Sequence, residues 1–592
     1  MIGHRRANIF LGDAWRFLFG QSLVIYSAKC MNRETSILNQ RERVEAQNHM
    51  LWSEGRVREY IAKGYWRGIT IVDMLDGTAR KHPEKVALVD EKERVTYHQL
   101  LAKVNRLALG LMTLGIRRGD RVIIQLPNWV ESVYSLFALS KIGAFPVLVL
   151  RQHRAKEIDF FSGLTEAMGI ILPKKYRDFD YIEMVEQLRP QLPSLKYIIT
   201  AGGKGPSWTT SLSELLEEPC EEKYSSNHLA EYKPGPKDIA FLLTTGGTTA
   251  LPKVVPHTHN TIICYTFDGI AVTGVGSNSV YLLNQSWSHM GGLMRTLGAL
   301  VSGGTLILNN RYSPEEILEL IHREKVTNIQ MVPTVALDII NYPELTRYNL
   351  NSLKVVECGA ARLEPEAARE IVAKLCPKLT NGYGGTEGMH SRSRLEDPLE
   401  VTCNTVGKPT CPGAEIKIVD DKGEMLPSGK EGELLWRGPE ITTHYYRNPE
   451  ETEKAFDSQG FFHTGDIAVI DGEGNLRIVG RKKEMIMRGA ENISPLEIEE
   501  LLADHPKVAA VAVIGIPDLR LGEKVCACIR PKTGEEISFE ETIAFLKSKG
   551  LASFKLPEKM ELIDEFPLTP MLKISKRELK EHIICKLQGG RK

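Results

Sequence analysis

The sequence predicts an α/β fold over most of its length, then a small, mostly β subdomain, then a separate α+β domain at the C-terminus. Three changes of texture predict it. In the first half, apolar runs of strand length alternate with stretches of helical spacing. From about Thr405 to Gly480, short strand runs alternate with turn sequences. After Gly480-Arg481-Lys482-Lys483 a helix start, two strand runs and a further helical stretch follow.

The elements support this in order. Thr96 and Gln99 form a capping box that opens a helix with Leu100, Val104, Leu107 and Leu111 on one face. Arg121 to Leu126 is strand-like, Trp129 to Ile142 has helical apolar spacing, and Pro146 to Leu150 returns to strand. That βαβ unit implies a parallel sheet covered by helices. In the β-rich region, Glu415 to Val419 and Gly432 to Trp436 are strands, and Asp421-Lys422-Gly423 and Asp471-Gly472 are turns. Ser494, Pro495 and Glu497 combine a capping box with proline at the first helical position. Strands Val508 to Ile516 and Val525 to Arg530 follow, then a helix near Phe539 to Lys549.

At 592 residues, 42% of them hydrophobic, the chain needs more than one core. Lys plus Arg (75) balance Asp plus Glu (75), so nothing points to nucleic acid or an anionic membrane surface. No apolar run approaches the ~18 residues of a membrane span. The expected partner is a small molecule, and the expected location is the cytoplasm. The 10 cysteines are scattered. Cys526 and Cys528 lie in a strand-like run without a second pair at zinc-ligand spacing, which reads as reduced buried thiols. The first thirty residues start basic and turn apolar, but Asp13 and Arg16 interrupt the apolar part. Residues 1–48 therefore read as a poorly ordered extension or as sequence upstream of the true start, with Met31 an alternative start and a dispensable segment before it.

Leu243 to Lys253 reads LTTGGTTALPK after an apolar strand run. It is not a P-loop, because Pro252 precedes the lysine and Val254 follows it. Alone it reads either as a phosphate cradle or as a Gly/Thr-rich turn between strands. Four further motifs follow in order: NGYGGTEG (381–388), FHTGD (462–466), VGRKKEM (479–485) and RGAENISPLEIE (488–499). Together they resemble the adenylate-forming superfamily of acyl- and aryl-CoA synthetases, adenylation domains and beetle luciferases, from about Leu51 to the C-terminus. Within it, Gly246-Gly247, VVECGAARLEPEAARE and RGAENISPLEIEELLADHPKV resemble the stand-alone aryl-acid–AMP ligases, such as 2,3-dihydroxybenzoate–AMP ligases.

The resemblance implies a large domain (49–480) of two parallel-sheet α/β subdomains plus a small β-barrel-like subdomain (about 405–480). A hinge at 481–483, centred on Lys483, and a mobile C-terminal domain (484–592) complete the expectation. A carboxylate attacks the α-phosphorus of ATP and displaces pyrophosphate; both reactants are anionic, so the site must supply cations and oriented donors. Thr244, Thr245, Gly246, Gly247, Thr248 and Thr249 are expected to wrap the phosphates, and Lys253 to add a cation. Ala250 stands where relatives carry glycine. Glu387 is the expected Mg²⁺ ligand, and Thr386 is expected to hold an α-phosphate oxygen. Tyr383, with Gly384 beside it, is expected to stack on adenine, with Gly359 and Ala360 on the other side of the base. Asp466 is expected on the ribose hydroxyls and Arg481 on ribose or phosphate.

Lys573, in LTPMLKISK, is implied to bridge carboxylate and α-phosphate, with Lys576 the competing candidate and Leu572 in place of the usual glycine. Gly489 is implied to line the tunnel for a pantetheine thiol. His289 is placed beside the substrate carboxylate, followed by Met290 and Gly291, with Arg295 five residues beyond Met290. The catechol-activating relatives have asparagine and serine at the positions of Met290 and Arg295. That predicts a less polar acid: apolar aryl, alicyclic or medium aliphatic. The leading expectation is an AMP-forming acyl- or aryl-CoA synthetase using ATP, Mg²⁺ and coenzyme A, as a monomer or homodimer. The alternatives are an aryl-acid–AMP ligase loading a carrier protein's phosphopantetheine, and a degenerate nucleotide-binding module.

Overall fold

The computed structural model describes residues 52–589 other than 225–227, 246–251, 361–362, 489–490, 519–520, 550, 552 and 570–572. The N-terminal extension, Gly246, Gly247, Thr248, Thr249, Ala250, Gly489 and Leu572 lie outside these.

The helix opened by Thr96 runs Tyr97–Leu114; both halves of the capping box form, and Gly115 ends it in the left-handed region. Its Leu100, Val104, Leu107 and Leu111 are fully buried. The predicted βαβ unit is strand Arg121–Ile124, helix Val130–Lys141 and strand Phe145–Leu148, the two strands pairing in parallel. It forms the centre of a seven-stranded sheet that continues through parallel strands Gly169–Pro173, Tyr197–Ala201 and Thr210–Ser211. On the other side, Phe145–Leu148 pairs in parallel with Ile239–Thr244, which turns back antiparallel into the edge strand Val254–Thr258.

A nine-stranded sheet has a parallel centre of Leu379–Gly384, Val355–Gly359, Asn328–Met331, Val280–Leu283, Thr305–Leu308 and Val86–Val89. Its edges are antiparallel: Arg94–Thr96 at one end, His390–Arg392 and Lys408–Pro409 at the other. Ile239–Thr244 and Val355–Gly359 are buried along their whole length, as strands covered on both faces must be. Such strands leave their carboxyl ends as the open edge where loops can gather a ligand.

The β-rich region is a four-stranded antiparallel sheet, Glu415–Val419, Gly432–Arg437, Phe462–Ile470 and Leu476–Arg481. Lys482–Glu484 forms a 3-10 turn directly after it, with Lys483 exposed. Beyond the turn lies a five-stranded sheet with helices Pro495–Ala503, Phe539–Ser548 and Lys576–Gly589, so this part is α+β as the sequence predicts. One expectation there fails. Ser494 precedes its helix but makes no side-chain cap. Its hydroxyl donates to the Val479 carbonyl (3.0 Å), and Glu497 pairs with Lys555 (2.6 Å). Tertiary partners have taken both groups of the predicted box. Cys526 and Cys528 are buried on one face of Gly522–Pro531, under the C-terminal helix. No helix among the described residues is long and apolar enough to cross a membrane.

Candidate active site

The strands Ile239–Thr244 and Val254–Thr258, which flank the glycine- and threonine-rich segment in sequence, pair antiparallel. Thr245 and Lys253 close the neck: the Thr245 amide donates to the Lys253 carbonyl (2.9 Å), and the Lys253 amide donates to Thr245 Oγ1 (2.9 Å). Thr244 does not serve as the sequence suggests. Its side chain is buried, and its hydroxyl donates to the Leu148 carbonyl (3.0 Å), which ties the hairpin to the next strand.

Past the neck, Lys253 Nζ sits 4.2 Å from the centre of the Tyr445 ring and 2.8 Å from Glu451. The Tyr445 hydroxyl donates to Glu387 Oε1 (2.8 Å), so the cation and the predicted metal-binding acid flank one tyrosine. The turn after Leu379–Gly384 fixes Thr386 and Glu387 through their backbones. His257 Nε2 donates to the Thr386 carbonyl (2.8 Å), and the Thr442 amide donates to the Glu387 carbonyl (2.8 Å). Gly388 has φ +114°, and a Cβ there would lie 2.3 Å from the Glu440 carbonyl, so this position needs glycine. A half-buried carboxylate whose Oε1 is already oriented by a phenol suits a hard cation that keeps several waters. Glu387 therefore fits the role of Mg²⁺ ligand.

Asp466 and Arg481 face each other across the small sheet. Arg481 Nε lies 2.9 Å from Asp466 Oδ1, and the Tyr383 hydroxyl donates to Asp466 Oδ2 (2.5 Å). Burial raises the Asp466 carboxyl, and Arg481 and Tyr383 oppose that shift. Gly359 and Ala360 end the neighbouring strand; Gly359 has no room for a side chain beside the Gly382 carbonyl (2.8 Å from a built Cβ), and Ala360 adopts φ +64°. An alanine held in the left-handed region stores roughly 1 kcal/mol.

Lys573 reaches this cleft from the C-terminal domain. The Thr569 amide donates to its carbonyl (2.7 Å), and its own amide donates to Thr569 Oγ1 (3.2 Å). The side chain keeps contact with solvent, yet partial exclusion of water lowers its pKa. The charge of Arg481 lowers it further, against the pull of Asp466 and Glu484. The charge of Lys573 in turn depresses His289. One ammonium is thus within electrostatic reach of both the Asp466–Arg481 pair and His289. Lys576 is tied to its own domain, 2.7 Å from Glu499.

His289 caps the helix Met290–Val301, its Nδ1 accepting from the Gly291 amide (3.3 Å). That acceptor role requires a neutral ring, and burial, then Lys573 and Arg295, hold the pKa down at about 4. A Cβ on Gly291 would meet Gln285 Oε1, Gln330 Oε1 and His289 Nδ1 at 3.3, 3.6 and 3.7 Å. Asn284 Oδ1, Gln285 Nε2 and Gln330 Oε1 are buried without hydrogen-bond partners among the described residues. The helix start is therefore lined by amides as well as by the buried Met290. Sequence reasoning missed these amides.

Arg295 is not a pocket residue in the expected sense. It is buried, with Nη2 2.6 Å from Glu357 Oε2. The same carboxylate lies 3.6 Å from Arg392 and accepts from the Tyr281 hydroxyl (2.8 Å). Burial alone would raise Glu357; Arg295 and Arg392 together hold it below the usual carboxylate range. Arg295 is neutralised beneath the site by a partner sixty-two positions away.

Burial also leaves His257 and His259 neutral, at about 4 and about 3 against an ordinary 6.5. Unfolded chains take up protons at these positions below pH 6.5 while the folded protein does not. Stability is therefore complete above pH 6.5 and falls toward pH 4. Unfolding free energies from urea titrations at pH 7.5 and 5 should differ by on the order of 1.4 kcal/mol per histidine for each pH unit below 6.5. A midpoint that does not drop would show that these rings are accessible to protons in the folded state.

The AMP-binding enzyme family matches residues 75–446, and the AMP-binding enzyme C-terminal domain matches residues 497–573. The chain is 36% identical over 541 residues to a 2,3-dihydroxybenzoate-AMP ligase of Bacillus subtilis, covering 91% of this chain and 98% of the relative. It is 34% identical over 533 residues to a salicyl-AMP ligase / salicyl-S-ArCP synthetase of Mycobacterium tuberculosis, covering 88% and 92%. Among solved structures it matches apo MbtA of Mycobacterium smegmatis at 32% identity and TM-score 0.70, covering 91% and 99%.

Proposed function

We propose, from the premise that this chain belongs to the AMP-binding enzyme family and is an adenylate-forming ligase, that it activates an aryl acid and passes the acyl group to a carrier-bound thiol. The observation that supports the site assignment most is the convergence on one cleft of Asp466–Arg481, His289 and Lys573. The relatives named above act on hydroxylated aryl acids, and one is named for a salicyl-S-ArCP product. They favour a carrier acceptor over the free coenzyme A that the sequence put first.

In this reading Asp466 accepts from the ribose hydroxyls, exchanging the Tyr383 hydroxyl for sugar. Lys253 and the loop amides take the β- and γ-phosphates, and Thr386 the α-phosphate. Glu387 holds Mg²⁺, which when bound supplies positive charge at the phosphates. Lys573 holds the acid's carboxylate against the α-phosphorus, opposing the repulsion of two anions. Neutral His289, which caps the helix Met290–Val301 through the Gly291 amide, stands beside that carboxylate. Motion about Lys483 would then bring Gly489 toward the site for thiol transfer.

Two assays test it. Pyrophosphate release over a panel of benzoates, hydroxybenzoates, alicyclic and aliphatic acids should be greatest with aryl acids; a best substrate that is aliphatic ends the aryl reading. Thioester formation should be faster on a phosphopantetheinylated carrier than on free coenzyme A, and the reverse ranking restores the CoA reading. Met290→Asn should raise use of 2-hydroxybenzoate over benzoate roughly fivefold, the value of one net hydrogen bond. An unchanged ratio would place Met290 away from the ring.

A further inference from the structure

Behind the Glu387 turn, outside the nucleotide cleft, lies a buried group of soft and hard ligands that the adenylation chemistry does not use. Cys264, on the helix His259–Thr273, has its Sγ 3.5 Å from Cys411 Sγ. One atom each of Cys264, Cys411 and the Glu440 carboxylate lies within 4.8 Å of the others, and all three residues are buried. Asp268, one turn after Cys264, accepts from its thiol (3.3 Å) and is the half-buried member on the solvent side. The residues come from three separate stretches of chain and meet beneath Tyr60 and Trp66.

We propose that Cys264, Cys411, Glu440 and Asp268 form a binding site for one zinc-class divalent cation. Three observations carry it. A tetrahedral ion with Zn–S bonds of ~2.3 Å sets its two sulfurs ~3.8 Å apart, within a few tenths of an ångström of the spacing found. Glu440 is 1% exposed; Oε1 accepts from Trp436 Nε1 (2.8 Å), but the second oxygen, Oε2, has no hydrogen-bond partner among the described residues. Cys411 also lies within hydrogen-bonding reach of this carboxylate, so a cation between the sulfurs and the carboxylate would engage groups that already converge on one point. The Gly413 amide donates to Cys411 Sγ (3.4 Å), the kind of outer hydrogen bond that supports a metal-bound thiolate.

On binding, two S–H bonds release their protons to solvent as two metal–sulfur bonds form, with no change of oxidation state. Uptake is therefore stronger at higher pH. The role is structural: the Glu440 carbonyl packs against Gly388, and the Thr442 amide holds the Glu387 carbonyl, so an ion here fixes the floor under the Glu387 turn.

The test uses the full chain purified without chelators. Elemental analysis after dialysis should find one zinc per chain. Chelator-stripped protein given Co²⁺ should develop the near-ultraviolet sulfur-to-cobalt band. Cys264→Ser and Cys411→Ser should abolish that band, and Glu440→Gln should shift it and weaken zinc retention at least tenfold. Substoichiometric zinc with no cobalt band in the folded wild type overturns the proposal. So does a Cys264–Cys411 disulfide found by peptide mapping in protein never exposed to metal-stripping. If the serine variants do not fold, Glu440→Gln and Asp268→Asn decide it: full zinc and an unaltered cobalt spectrum in both overturn the site.

Discussion

Replacing Lys573 by alanine should cut acid-dependent ATP–pyrophosphate exchange roughly 100- to 1000-fold, the loss typical of one preorganised charge at a transition state. The expectation follows from where the ammonium lies. It feels Arg481, Asp466 and Glu484 and is felt by His289, so it lies between the pair proposed for the ribose and the histidine proposed for the acid. Thioester formation from chemically supplied acyl-adenylate should survive, because that step no longer requires an anion to approach an anion. Gly489→Leu is the complement: adenylate should form and stay bound while thioester fails. Single-turnover assays of both half-reactions on both variants decide the matter. Loss of the same half-reaction in both would refute separate roles. Loss of exchange in Lys576→Ala but not Lys573→Ala would show that the register read through LTPMLKISK is off by three.

The largest effect on stability should come from a residue that touches no substrate in this reading. Glu357→Ala leaves Arg295 and Arg392 buried beside each other without their shared counter-ion. Removing one partner from a buried ion cluster costs about 3–5 kcal/mol. Urea unfolding should show that loss, and the double variant Arg295→Met/Glu357→Gln should recover part of it by removing one of the two stranded charges. Because the carboxyl is held below its ordinary range, the stability it contributes is present at neutral pH and is lost as acid protonates it. A loss under about 1 kcal/mol would mean that water reaches the arginines.

Local rules carried most of the fold. Thr96 and Gln99 cap as their spacing dictates, and the βαβ unit lies within two residues of where its periodicity places it. The rules failed where a distant group outbid a near one. Ser494 gives its hydroxyl to Val479 rather than to its own helix, a choice set by the packing of the domain junction. The same applies to the site. Asp466, Arg481, Tyr383 and Lys573 each sit in a short motif that made them candidates, and the structure brings the first three into contact and Lys573 within reach of their charge. Arg295 was misplaced because its partner, Glu357, lies in an apolar strand and nothing in the intervening sequence links the two. The amides of Gln285 and Gln330 went unnoticed for a related reason: they meet only when two parallel strands set their carboxyl ends side by side.

The ion pair between Lys253 and Glu451 has a consequence for how nucleotide affinity should be understood. Lys253, supported further by Lys454, holds the Glu451 carboxyl down at about 2, so the acid stays ionised at any working pH. Glu451 is an internal competitor for the lysine. In the proposed reading a triphosphate displaces it, and its binding constant is then a quotient: intrinsic attraction divided by the strength of the contact already made. Such an exchange is nearly neutral in net charge transferred from water, so added salt weakens the resting pair and the new one together. Affinity for ATP should accordingly depend on ionic strength less steeply than a bare lysine at a phosphate would suggest, and the residue that sets this damping, Glu451, belongs to none of the five sequence motifs.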